Sequence, residues 1–135
     1  MANALYDKGR EGFLDGSIDW DTDDIKVVLI DAADYVVNLA TDEDLADVTA
    51  AGRVATSGNL ASKTVTAGVA DADDITLSAV TGDQSEALVI YQDTGVEATS
   101  RLIAYIDTAN GLPITPNGED VGVVWDGGAN KIFKL

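Results

Sequence analysis

The sequence predicts an all-β fold, an antiparallel β-sandwich of jelly-roll-like kind with a short N-terminal helix. Three observations carry this. Valine, isoleucine and threonine together far outnumber leucine, a balance that favours strands. Short apolar segments recur along the chain, bounded by turns rich in glycine, asparagine and aspartate. Two of them, "ALVIYQD" (87–93) and "RLIAYID" (101–107), are apolar without alternation, as antiparallel strands with both faces covered must be. At 135 residues the chain reads as one domain. Residues 1–24 form an N-terminal helix and acidic linker or arm, and residues 25–135 a β-sandwich body.

Taken in order, "NALYDKGREGFLD" (3–15) spaces Leu5, Tyr6, Gly9, Phe13 and Leu14 along one face of a short helix that Asn3 could cap. Gly9 and Gly12 each cost about 1 kcal/mol against alanine, so this helix needs a surface to dock on. "IKVVLID" (25–31) reads as a strand and "YVVNL" (35–39) as a second strand or as its continuation past a kink. "TDEDLADV" (41–48) reads as a helical turn or two, with Thr41 at the N-cap and Asp44 three residues on. The β segments "GRVATSGNLA" (52–61), "SKTVTAGVA" (62–70) and "DDITLSAV" (73–80) follow. In the last, Ile75, Leu77 and Ala79 alternate with Thr76 and Ser78.

The two apolar segments pair as a hairpin across "TGVEATS", with Tyr91 and Tyr105 in matching places. Their second face wants cover from the helix, a second sheet or another subunit, which predicts a dimer or trimer. "NGLPITPNGED" (110–120) is the main irregular loop, with both prolines. "VGVVW" (121–125), the turn "DGGAN" and "KIFKL" (131–135) read as a terminal hairpin, bringing the count to about eight strands. Phe133 and Leu135 should then sit in the core. Removing residues 131–135 should leave the Trp125 strand unpaired, whereas trimming Met1 and Ala2 should do little.

The composition narrows the chemistry. There is no cysteine and no histidine, so disulfides, thiolate metal sites and the usual general base are ruled out. The opening lacks the basic start and apolar run of a secretory signal, and no apolar run is long enough to span a bilayer. The formal charge of −16 disfavours nucleic acid and anionic membranes as partners, and suits a locally basic protein surface. "DWDTDD" puts Asp19, Asp21 and Asp23 at the first three ligand positions of a calcium loop, but Asp24 stands where that loop needs glycine and Ile30 where it needs glutamate. "DADD" (71–74) reads as a solvated turn. No nucleophile motif and no phosphate loop occur, so no catalytic, cofactor-binding or metal residue is predicted. Trp20, Trp125 and the four tyrosines could line a sugar platform, but such residues are more often core or interface anchors, and Trp125, alternating with Val121 and Val123, is expected in the core.

The opening "ANALYDKGREGFLDGSIDW", the segment "IKVVLIDAADYVVNL", the late "TPNGEDVGVVWDGGANKIFKL" and the cysteine-free β-rich body together resemble small structural proteins of tailed bacteriophages. The resemblance covers nearly the whole chain and is most similar in kind to capsid decoration or cement proteins. It implies a virion component on the outer surface of the phage head, made in the host cytoplasm. Its expected partners are the major capsid protein, at subunit junctions, and copies of itself. It implies no enzyme activity and no cofactor. A tail or head-fibre component is the alternative, with "NGLPITPNGED" its candidate tip. A calcium- or sugar-binding β-sandwich module is a further alternative.

Overall fold

The computed structural model describes residues 3–135; Met1 and Ala2, whose loss was expected to matter little, lie outside them. Among the described residues the chain is mostly β with one α-helix. Its elements are β1 (Ala4–Leu5), α1 (Asp7–Asp15), β2 (Ile25–Ile30), β3 (Arg53–Thr56), β4 (Thr64–Thr66), β5 (Val69–Asp71), β6 (Ile75–Leu77), β7 (Ala87–Gln92), β8 (Leu102–Ile106), β9 (Val121–Val123) and β10 (Phe133–Lys134). They form three antiparallel sheets: five strands in the order β1-β8-β7-β2-β3, three in the order β10-β5-β4, and the pair β6-β9.

The middle of the large sheet is apolar on both sides, as its sequence requires. Val27, Leu29, Leu88 and Ile90 face one core, which also takes Trp20, Leu60, Leu77 and Val80. Val28, Ile30, Val89 and Tyr91 face a second core, closed by Tyr6, Tyr35, Leu45 and Val48. Both faces are thus covered by the chain's own segments, so the two-sided strands do not by themselves call for a second subunit. A bulge in β8 explains why "RLIAYID" lacks alternation. Tyr91 lies opposite Leu102 and Ile90 opposite Ala104, which leaves Ile103 as the extra residue. The same register puts Tyr105 opposite Val89, so the two tyrosines are not cross-strand partners.

Helix α1 starts later than expected. Residues Ala4 and Leu5 pair with Tyr105 and Ala104 instead, closing the open edge of β8. Asn3 does not cap the helix. Its Oδ1 accepts from the backbone N–H of Asp107 and Thr108 (both 2.9 Å), and its Nδ2 donates to the Thr108 carbonyl (3.0 Å). The two glycines are the docking face. A Cβ on Gly9 would stand 2.6 Å from the Leu102 carbonyl oxygen, and one on Gly12 would stand 2.5 Å from Ile18 Cδ1. Leu14, expected on the buried face, is exposed.

Other boundaries differ for identifiable reasons. "YVVNL" is not a strand; it crosses the second face of the large sheet, where Tyr35 is buried and Val36 points to solvent. The turn in "TDEDLADV" is a 3₁₀ turn at Leu45–Asp47, preceded by Asp44 rather than Thr41. Asp47 Oδ2 accepts from the Asp44 N–H (3.3 Å), so the reciprocal cap forms three residues later than expected. "SKTVTAGVA" is two strands, β4 and β5, because Ala67 and Gly68 both take positive φ (53° and 78°), the signature of a tight hairpin turn. The alternation of Ile75–Leu77 stops before Ala79, which is exposed at φ 47°.

The C-terminal hairpin is not formed. β9 pairs with β6, and β10 pairs with β5 through Phe133–Ala70 and Lys134–Val69. Phe133 is half-buried and Leu135 is exposed, so neither is a core residue as expected. What draws β10 to β5 is aromatic contact. Phe133 stacks edge-on against Trp20 at 5.2 Å and lies 5.7 Å from Phe13. Removing residues 131–135 would therefore strip β5 of a neighbour rather than β9. Trp125 is half-buried against the first core, its Nε1 donating to the Asp73 carbonyl (3.0 Å).

The Gly9 contact gives a direct test. Gly9→Ala should gain about 1 kcal/mol in helix propensity yet destabilise the protein by roughly 1–3 kcal/mol, because the new methyl meets backbone that cannot move aside. Gly127→Ala, with open space around it, should be close to neutral. Urea unfolding of both variants checks this, and a Gly9→Ala variant as stable as the parent would refute the close docking of α1.

Candidate functional site: an apolar groove with an acidic rim

An open groove of about 430 Å³ lies between the C-terminal end of α1 and the three-stranded sheet. Its floor is Phe13, Trp20, Ala70 and Phe133, and Val65 and Leu135 stand at its edge. The last two are 57% and 60% exposed, which makes this apolar surface available to a partner. Trp20 is held in place by its Nε1, which donates to the Asp71 carbonyl (3.0 Å). Gly68 also borders the groove; a Cβ there would lie 3.3 Å from the Leu135 carbonyl oxygen.

Asp19 and Asp21 line the rim. The turn that carries them closes on itself. Asp23 Oδ2 accepts from the Asp19 N–H (2.8 Å) and from Gln92 Nε2 (2.6 Å), and the Asp23 carbonyl accepts from Lys63 Nζ (2.7 Å). Asp19 and Asp21 are left facing one another in solvent. The hydrogen bond they share pulls the Asp19 carboxyl below the usual carboxylate range and pushes that of Asp21 above it.

The aromatic residues singled out in the sequence do not assemble into one platform. Trp20 lies in the groove and Trp125 near β6, while all four tyrosines are buried in the second core. There the Tyr6 and Tyr35 hydroxyls are 2.9 Å apart, and Tyr35 donates to Asp42 Oδ2 (2.7 Å). Burial, first of all, raises both phenols well above the usual range. This string ties the N-terminal strand to the 31–48 segment. The buried serines likewise serve the backbone: Ser57, Ser85 and Ser100 donate to the carbonyls of Gly58, Asp83 and Val96.

Carboxylates converge elsewhere. Oxygens of Asp31, Asp34 and Asp83 lie within 4.8 Å of one another, a grouping that their separation in sequence hides. Asp31 is buried and spends Oδ1 on the Ala33 N–H (2.9 Å). Calcium takes six to eight oxygens, so backbone carbonyls or water would have to complete a site here.

Sequence reasoning missed the groove because Phe13, Val65 and Phe133 come from three distant segments. The one available signal was Val65, an apolar residue in "KTVTAG" with no apolar neighbour within two positions other than Ala67.

Two outcomes are expected. Tyr35→Phe should cost roughly 1–3 kcal/mol in urea unfolding, since it leaves the Tyr6 hydroxyl and Asp42 short of a partner. Millimolar calcium should leave the melting temperature where magnesium leaves it; a rise of several degrees with calcium alone, lost in Asp34→Asn, would show that the Asp31 cluster binds it.

Compared with known proteins, the chain matches no protein-family model and no curated protein.

Proposed function

We propose that this chain is a structural protein of a tailed-bacteriophage virion, a capsid decoration or cement protein. In this reading it binds the outer head shell at subunit junctions and stabilises it, without catalysis or cofactor. The observation that carries the reading is the open aromatic groove on a chain of charge −16: a built apolar contact surface on an otherwise strongly hydrated molecule. The resemblance of the opening, the first strand region and the C-terminal segment to such proteins supports it. The finer architecture is read as sandwich-like, with the small sheets and the five-stranded sheet contributing to one core, in the manner of jelly-roll decoration proteins. Self-association as a dimer or trimer belongs to the same reading.

The tail or head-fibre alternative is less favoured by the 110–120 loop. A host-reading tip should be free, but Ile114 exchanges two backbone hydrogen bonds with Ser85 (2.8 and 2.9 Å), and Gly118 and Glu119 both bond Val80.

The purified protein, added to virion heads lacking it and to isolated tails, should co-sediment with heads at a saturating, fixed copy number and raise their disruption temperature. Exclusive binding to tails would replace the head assignment with the tail one. Binding to neither would overturn the virion reading.

A further inference from the structure

We infer that the groove between α1 and the three-stranded sheet is the slot for an extended partner segment, one carrying a large apolar side chain flanked by lysine or arginine and lying along the free edge of β4. The inference rests on the reading of the chain as a capsid-binding protein for the source of that segment, but the groove's chemistry is independent of it.

Three observations converge. The first is shape: the floor of Phe13, Trp20 and Phe133 offers aromatic faces and edges, and about 430 Å³ suffices for a large side chain to be enclosed. The second is backbone. Among the described residues β4 is an edge strand paired only with β5, and Thr64, Val65 and Thr66 are all exposed. An edge of this kind accepts an added strand, and its Val65 belongs to the groove, so strand pairing and side-chain insertion would occur together.

The third is charge. Six of the chain's eight bases are engaged internally: Lys8, Arg10, Lys26 and Arg101 bridge to carboxylates, as does Arg53, and Lys63 donates to the Asp23 carbonyl. Near the groove, Lys63 is thus committed to the acidic turn, and the stem of Lys134 lies against Gly68. Asp19 and Asp21 remain at the rim as two exposed carboxylates, a negative edge that a partner's cation complements. A second copy of this chain brings a further −16 and is the less fitting occupant.

The probe is the peptide acetyl-Lys-Leu-Lys-Phe-Lys-Val-amide, with two controls: glutamate in place of each lysine, and serine in place of each apolar residue. The full chain is labelled with ¹⁵N, and its two indole N–H signals are assigned with Trp125→Phe. The lysine peptide should shift the Trp20 indole, the effect should weaken several-fold in half-molar salt, and neither control should reproduce it. Val65→Lys, at an exposed position, should keep the parent's melting curve and lower affinity at least ten-fold. Asp19→Asn with Asp21→Asn should lower it several-fold. Equal binding of the glutamate peptide, or binding untouched by Val65→Lys, would overturn the inference. So would concentration-dependent self-association abolished by Val65→Lys, which would give the groove to a second copy. On virion heads, a Val65→Lys protein that coats as well as the parent would sink the groove and leave the capsid reading standing. A parent that takes the peptide at Trp20 but ignores heads would do the reverse.

Discussion

Everything in this fold answers to one constraint: the central strands β7, β2 and β8 have no hydrophilic side. β7 is buried from Ala87 to Tyr91, and β2 is buried at every position but Lys26. An antiparallel sheet of this kind has no solvent face to spare, so both sides must be roofed. The first roof is made of small sheets, Trp20 and Leu60. The second is made of irregular chain, residues 31–48, with Tyr6 inserted from the N-terminal segment. A loop can serve as a core layer only if its polar backbone is satisfied. Arg53 does much of that work: Nε and Nη2 donate to the carbonyls of Val48 (2.9 Å) and Leu45 (2.7 Å), while Nη1 pairs with Glu97 (2.6 Å).

What was legible in the sequence was what depends on short-range pattern. The strands at 25–31, 87–93 and 101–107 and the β7–β8 pairing followed from apolar runs and a turn between them. The partners of short strands were not legible. β6, β9 and β10 are two or three residues long, too short for their own pattern to specify a neighbour. "KIFKL" joined β5 because Phe133 finds Trp20 there, a contact across more than a hundred residues. The candidate site shares this difficulty: its acidic rim was visible as "DWDTDD", but its apolar floor exists only once three separate segments meet.

The distribution of charge follows from the same packing. Few bases were available, and the fold pairs most of them with half-buried or exposed carboxylates and with backbone carbonyls. Arg101 reaches the Lys8 carbonyl (2.9 Å) and Glu43 (3.3 Å), tying α1 to the acidic segment. Lys26 meets Asp93 at 2.7 Å, which lowers the Asp93 carboxyl and raises the Lys26 ammonium. The folded Asp93 value lies below the unfolded one, so this pair's contribution is present above the unfolded carboxylate range, about pH 4, and is lost as pH falls through the folded value.

The extra residue in β8 also divides that strand into two separately phased halves. From Ala104 onward, side chains keep step with β1 and with the first half of β7; at Leu102 they keep step with Tyr91 and the second core. Ile103 absorbs the mismatch by turning into the first core as Ala104 does. The bulge thereby lets the two halves of the strand present their side chains in different phase. Lose that bulge, by deleting a single residue between 102 and 104, and one half must rotate: either Leu102 leaves the tyrosine core, or Tyr105 and Ile106 exchange sides. The five-stranded sheet therefore carries its own indexing device, set at the position where α1 comes closest to it.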